Sequence, residues 1–78
     1  MLEGLIDPIR CTAEAEVACL LKQVGPDEWA VSLRSRGATD VSSVAIALGG
    51  GGHRKAAGFT GRGTAEEIVD RVRAQLRA

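Results

Sequence analysis

Tyrosine is absent from this chain, and tryptophan, phenylalanine and histidine occur once each, as Trp29, Phe59 and His53. A groove that tracks a long single strand stacks successive bases on aromatic rings. Two aromatic residues, one of them on a core-facing strand position, argue for a small pocket instead. One histidine, with no Ser or Cys placed beside a base, leaves no nucleophile–base pair to build catalysis on. Asp and His do not recur at metal-ligand spacing, so no metal site and no catalytic residue is assigned to this chain. Cys11 and Cys19 have neither metal-like spacing nor a secretory leader ahead of them. They are expected as buried thiols in a reducing cytosol, with one disulfide as the alternative. No apolar stretch is long enough to cross a bilayer. A cytoplasmic location without a membrane partner is therefore expected.

What is present fits one small domain of 78 residues. The apolar residues are mostly Ala, Val and Leu, so the core is thin, and small domains bury a smaller share of their surface than large ones. Such a core is expected to lean on another domain or on a second copy of the chain, which makes a homodimer a candidate assembly. Net charge is zero, but it is unevenly spread. Residues 34–62 carry Arg34, Arg36, Arg54, Lys55 and Arg62 against Asp40 alone, a local excess of +4. A basic block that contains a glycine run points to an anion, and phosphate is the commonest. A solvated face with no ligand is the alternative that composition alone would favour.

Residues 1–15 read as a linker from a longer parent, with AEAE at the start of the first strand. Residues 16–78 read as the domain. EVACLLKQ (16–23) is mostly apolar and is predicted as a strand buried on both faces. Gly25-Pro26-Asp27 is turn punctuation. EWAVSLRSR (28–36) alternates, placing Trp29, Val31, Leu33 and Ser35 on the core face. Ala30, Ser32, Arg34 and Arg36 fall on the other, so the two arginines project together. Gly37 breaks this strand, and Thr39 or Asp40 can cap the next segment. There Val41, Val44, Ala45 and Leu48 make one helical stripe that ends at the glycines. AAGFT (56–60) is a third strand, with Gly58 where something approaches closely. Thr64 and Glu67 form a capping box, followed by a helical stripe of Ile68, Val69, Val72 and Leu76. Arg71, Arg73 and Arg77 lie late in that helix and read as solvated helix charges. The expectation is an α+β domain: a small mixed β-sheet with helices packed on it, in the order β-β-α-β-α.

The run GGGGH (49–53) is longer than a helix C-cap needs. Glycines let backbone N–H groups approach a ligand without interference from Cβ, and successive N–H groups form a concave anion site. His53 can donate to a phosphate oxygen, and Arg34 and Arg36 offer planar forks that suit phosphate. Gly50, Gly51, Gly52, His53, Arg34 and Arg36 are thus the candidate ligand-binding residues. A flexible linker would show similar glycines. The run is neither a Walker loop nor a dinucleotide-binding turn: no Gly-Lys-Ser/Thr closes it, and a helix precedes it where a strand should stand.

Together, SLRSR (32–36) and DVSSVAIALGGGGHRKAAGFT (40–60), preceded by RCTAEAEVACLLKQ (10–23), resemble the DHHA1 domain. This is the C-terminal substrate-binding domain of the DHH phosphoesterase superfamily. The resemblance is nearest to the bacterial branch that acts on short oligoribonucleotides and on 3′-phosphoadenosine 5′-phosphate. It implies a partner DHH domain that binds two divalent metals, usually manganese, and performs the hydrolysis. It also implies that this domain holds the nucleotide end of a short RNA, a dinucleotide or a phosphorylated nucleotide. Arg34 and His53 are the substrate contacts it implies, with Gly50, Gly51 and Gly52 as the close-approach turn and Arg36 as a phosphate neighbour. Ser35 is a weaker assignment, and Arg54 and Lys55 stand as either site residues or solvent charges. The chain departs from the complete family pattern in having no DHH motif, so it is expected to bind nucleotides and to hydrolyse nothing alone.

Two other readings remain open at this level. One is a nucleic-acid-binding module, as found in single-strand exonucleases and alanyl-tRNA synthetases of the same superfamily. The other is an oligomerisation or packing unit, which the thin core would favour but which leaves the basic block unexplained.

Overall fold

A computed structural model describes residues 9–14 and 16–77. Residues 1–8 of the expected linker lie outside the described residues. Along the chain run β1 (Ile9–Glu14), β2 (Val17–Gly25), β3 (Glu28–Ser35), α1 (Val41–Ala47), β4 (Gly51–His53), β5 (Ala56–Arg62) and α2 (Ala65–Arg77). The α+β class and the expected succession of strands and helices hold. Two further strands join the sheet: β1 at the N-terminal end and β4 across the glycine run. The five strands lie in the order β1-β2-β3-β5-β4. Each pairing is antiparallel, where a mixed sheet was expected.

Both helices pack on one face of this sheet. Val17, Cys19 and Leu21 of β2, Val31 and Leu33 of β3, and Ala57 and Phe59 of β5 form one core with Val41, Val44 and Ala45 of α1 and Ile68, Val69 and Val72 of α2. The opposite face stays open. This corrects the expectation for residues 16–23: β2 alternates instead of being buried on both faces. Ala18 and Lys22 are exposed and Leu20 is half-buried, between the buried Val17, Cys19 and Leu21. The apolar run LL hid this period, because Ala18 and Leu20 look like core residues although they face outward.

Local chemistry fixes the helix ends. Asp40 caps α1 by accepting from the Ser42 N–H at 2.9 Å. At the other end Gly49, at φ 99°, reverses the chain. The Gly49 N–H donates to the Ile46 carbonyl at 3.1 Å and the Gly50 N–H to that of Ala45 at 2.7 Å, a Schellman closure. The capping box of α2 is present: the Thr64 N–H donates to Glu67 Oε1 at 2.8 Å, and the Glu67 N–H to Thr64 Oγ1 at 3.1 Å. Two of the arginines expected to be solvated instead tie α2 to the sheet. Arg71 Nη1 donates to the Arg62 carbonyl at 2.7 Å, and Arg73 Nη2 to that of Thr12 at 3.4 Å.

One-sided burial sets a measurable contrast. Leu21→Ala is expected to cost about 2–5 kcal/mol, because it empties a fully packed position. Its neighbour on the open face, Leu20→Ala, is expected to cost less than about 1 kcal/mol. Urea unfolding of the two variants checks this, and equal losses would contradict an open face.

Candidate anion-binding site on the open sheet face

Register decides which residues meet. Arg34 of β3 stands opposite Ala56 of β5, and Ala56 stands opposite His53 of β4. Residues opposite one another in an antiparallel pair share a face. Ala57 and Phe59 point into the core, so Ala56, and with it Arg34 and His53, belongs to the open face. The backbones of Arg34 and His53 are thus two strand spacings, about 10 Å, apart. Only a methyl group stands between them, and long side chains can close on one ligand across it. The next row, on the same face, holds Leu20, Ser32, Gly58 and Gly51, with Arg10 of β1 paired opposite Leu20.

The β4–β5 hairpin is held at its tip. Its two-residue loop, Arg54 and Lys55, offers carbonyls to the framework: that of Lys55 accepts from the Ser35 N–H at 3.0 Å and that of Arg54 from the Val41 N–H at 2.9 Å. These bonds lock the hairpin against the end of β3 and the start of α1, and so fix where His53 sits. Ser35 is buried on the core face, with its Oγ donating to the Gly37 carbonyl at 3.3 Å. It faces away from the Arg34 row. Arg36 lies beyond β3, in a bend, with its N–H bonded to the Glu16 carbonyl at 2.8 Å. It is exposed at the same end of the sheet as Arg34, but not in its row.

The four glycines are not equivalent. Gly49 supplies the left-handed turn that closes α1. A Cβ on Gly50 would run into the Gly58 carbonyl and the Phe59 backbone. Gly52 has φ 145°, and a Cβ there would sit 2.5 Å from Ala57 Cα. Gly51 alone meets neither condition: its φ is unexceptional and a Cβ would find nothing within 4 Å. Three of the glycines are thus explained by the fold itself. Gly51 borders open space beside Gly58 and His53.

Positive charge at this end is largely unspent. Arg34 Nη1 makes a marginal 3.5 Å bond to the Leu33 carbonyl. Among the described residues, no side-chain hydrogen bond or ion pair engages Arg36, His53, Arg54 or Lys55. The only carboxylate of the 34–62 block is Asp40, and it is occupied. The Ser42 hydroxyl holds its pKa below the usual 3.8, against a smaller opposing effect of burial, with help from the Ser42 and Ser43 N–H groups and from the charge on Arg54. Asp40 thus stays ionised as a helix cap, and among the described residues it makes no ion pair with Arg34 or His53. Among the described residues no three His, Cys, Asp or Glu side chains converge. A groove lined by Ile9, Ala65, Glu66, Val69, Asp70 and Arg73 lies on the helix-covered side, away from the Arg34 row.

The DHHA1 domain family model matches residues 1–78. The chain belongs to the DHHA1 domain family. Membership makes this a domain associated with the DHH phosphoesterases, of the nucleotide- or nucleic-acid-binding class. No helix among the described residues of this DHHA1 domain is long and apolar enough to cross a membrane. The sequence marks Gly58 as a point of close approach and puts Ser32 on the Arg34 face, but it does not single out Ala56, which stands between Arg34 and His53. The signal for Ala56 was the alternation of AAGFT once β4 is paired beside it. β4 itself was hidden because its Arg-Lys loop lacks the Asn-Gly or Asp-Gly signature of tight hairpins.

The glycine assignments separate by stability. Gly50→Ala and Gly52→Ala are each expected to lose more than about 1 kcal/mol, since strain or backbone collision must be absorbed. Gly51→Ala is expected to stay within about 0.5 kcal/mol of the parent. Chemical denaturation reads all three, and a destabilised Gly51→Ala would mean that the fold, rather than open space, requires this glycine.

Proposed function

We propose that this DHHA1 domain binds the phosphate of a nucleotide or short oligoribonucleotide between Arg34 and His53. In this reading it is the substrate-holding half of a DHH phosphoesterase that acts on short RNA and on 3′-phosphoadenosine 5′-phosphate. The observation that carries the reading is the shared row of Arg34, Ala56 and His53. It sets a planar fork and an imidazole on one face with only a methyl group between them. Gly51 leaves backbone open beside the row, and Arg36 and Lys55, with Arg54 beside ionised Asp40, add field. Arg34 would grip the phosphate through two parallel N–H bonds, and His53 would donate from the other side.

In the whole enzyme two divalent metals, manganese by family resemblance, would supply the activated water from the DHH domain. The residues of this chain bind and orient. Holding the far end of the substrate rigidly is what aligns a scissile bond in the other domain. Such an enzyme would work in the cytoplasm, where short RNA and phosphorylated nucleotides are found. The rival reading, a track for long single strands, is disfavoured by the two aromatic residues. Phe59 is buried in the core, and Trp29 packs against it with its Nε1 bonded to the Gly63 carbonyl at 2.9 Å. Neither is offered to the open face.

NMR titration of the 78-residue chain with adenosine 5′-monophosphate and adenosine 3′,5′-bisphosphate tests this. Shifts are expected at Arg34, Gly51, His53 and Gly58. Arg34→Ala and His53→Ala are each expected to weaken binding about tenfold, the scale of one hydrogen bond to a charged group. Incubation of the chain with manganese and a dinucleotide is expected to give no product. Binding that survives both substitutions, or turnover by this chain, would overturn the reading.

A further inference from the structure

Two cysteines that stand eight positions apart in the sequence are brought opposite one another by the sheet. In the β1–β2 ladder Cys11 is the direct partner of Cys19. Neither belongs to the Arg34–His53 row. Cys19 is 3% exposed and sits in the core beneath the helices. Opposite residues in an antiparallel pair share a face, so position 11 lies on the helix-covered face as well. The type of pair follows from backbone bonds further along. The Ser35 N–H donates to the Lys55 carbonyl, so Ser35 turns toward β5 and away from β2. Its ladder partner Val17 therefore turns toward β1, and Cys19, two residues on, does the same. Cys11 and Cys19 are thus a hydrogen-bonded backbone pair, with Cα atoms about 5.5 Å apart. Thr12, the next residue, turns its carbonyl outward, where Arg73 Nη2 meets it at 3.4 Å.

That Cα separation falls within the range of about 4.4–6.8 Å that a disulfide spans. The Cβ atoms of such a pair lie toward about 5.5 Å, whereas a relaxed disulfide needs about 3.5–4.5 Å. One strand must therefore yield by about 1 Å. β1 is the strand that can, because it is the edge of the sheet and its register shifts just beyond the pair, between Thr12 and Glu14. A disulfide closed under such strain is easily reduced again.

We propose that Cys11 and Cys19 are a reversible cross-strand thiol–disulfide pair that clasps the edge strand β1 to the sheet under oxidising conditions. The proposal stands apart from the reading of the Arg34–His53 row. The oxidant is a low-molecular-weight disulfide, of the class of oxidised glutathione. One cysteine thiolate attacks a sulfur of the oxidant, forming a mixed disulfide and expelling one glutathione thiolate. The other cysteine thiolate then attacks the protein sulfur of the mixed disulfide. This forms the Cys11–Cys19 bond and expels the second glutathione thiolate. Two electrons pass from the protein to the oxidant, and the two cysteine protons end on the two glutathione thiols. Because Cys19 is buried, the exchange runs through local openings of β1. Once closed, the clasp suppresses those openings and holds Ile9 in its groove against α2 and Thr12 beneath Arg73.

The test equilibrates the 78-residue chain with reduced and oxidised glutathione at varied ratios, traps the remaining thiols with a maleimide and weighs the intact protein. A second chain, Cys11→Ala with Thr12→Cys, moves the thiol by one position and so to the other face of β1. Both chains are measured folded and in urea. The folded parent is expected to lose both thiols together, without retaining glutathione, at a ratio at least about tenfold more reducing than the shifted chain requires. In urea, where the register is gone, the two chains are expected to oxidise alike. Oxidation of the parent is expected to slow hydrogen exchange at the amides of residues 9–12 about tenfold and to leave β3 and β5 unchanged. Folded chains that oxidise at the same ratio, glutathione that stays on one cysteine, or disulfides between chains would each overturn the pair. An internal disulfide that leaves exchange in β1 unchanged would overturn the clasp. Where the shifted chain does not fold, the parent decides alone: an internal disulfide with slowed β1 exchange upholds the proposal, and a lasting mixed disulfide or two unreacted thiols overturns it.

Discussion

The pairing of β5 with both β3 and β4 is the constraint on which the rest of this molecule depends. Ala56 stands opposite Arg34 on one side and His53 on the other, and these pairings bring residues far apart in sequence into one row. A slip of one residue in either ladder would turn His53 or Arg34 toward the helices. The core opposes such a slip, because Ala57 and Phe59 would leave it together. The carbonyls of Arg54 and Lys55, bonded to the start of α1 and the end of β3, pin the same register from the hairpin tip. The site is therefore positioned by backbone hydrogen bonds and by burial on the opposite face, with little need for side-chain bonds among its own members.

That division leaves the charges of the site available. Side chains engaged in internal ion pairs would have to be released before meeting a ligand, at a cost comparable to the gain. Here Asp40, the acid nearest in sequence, is committed to capping α1. Small residues between the charged positions keep the sheet surface low, which in the proposed reading would let a ligand reach both the side chains and the edge of β4. The same economy keeps the core thin: helices cover only one face of the sheet, and the open face is surface that a ligand or a catalytic partner can use.

Much of this was legible in the sequence where periodicity was clean. The alternation of residues 28–35 put Arg34 outward and Ser35 inward, and the structure has both. The stripes of α1 and α2, a cap at Thr39 or Asp40, which the structure places at Asp40, and the Thr64–Glu67 box followed from local chemistry that needs no tertiary partner. Less was legible where the signal is relational. Val17 to Gln23 contains too many apolar residues for its alternation to show, so one-sided burial looked two-sided. β4 is three residues long and consists of two glycines and a histidine, a composition that has no strand propensity of its own. It becomes a strand because β5 offers it an edge. The glycine run looked uniform, yet Gly49, Gly50 and Gly52 answer to turn geometry and packing, and Gly51 alone combines open space with an unexceptional φ.

The central claim is that Arg34 and His53 act on one phosphate across Ala56. A double-mutant cycle tests it most directly, using Arg34→Ala, His53→Ala and the pair, with adenosine 5′-monophosphate binding measured by calorimetry. Two groups that grip one ligand atom cluster should couple, so the loss in the double variant is predicted to depart from the sum of the single losses by more than about 0.5 kcal/mol. Strict additivity would mean that the two residues act independently, and that the row which the sheet assembles is not one site.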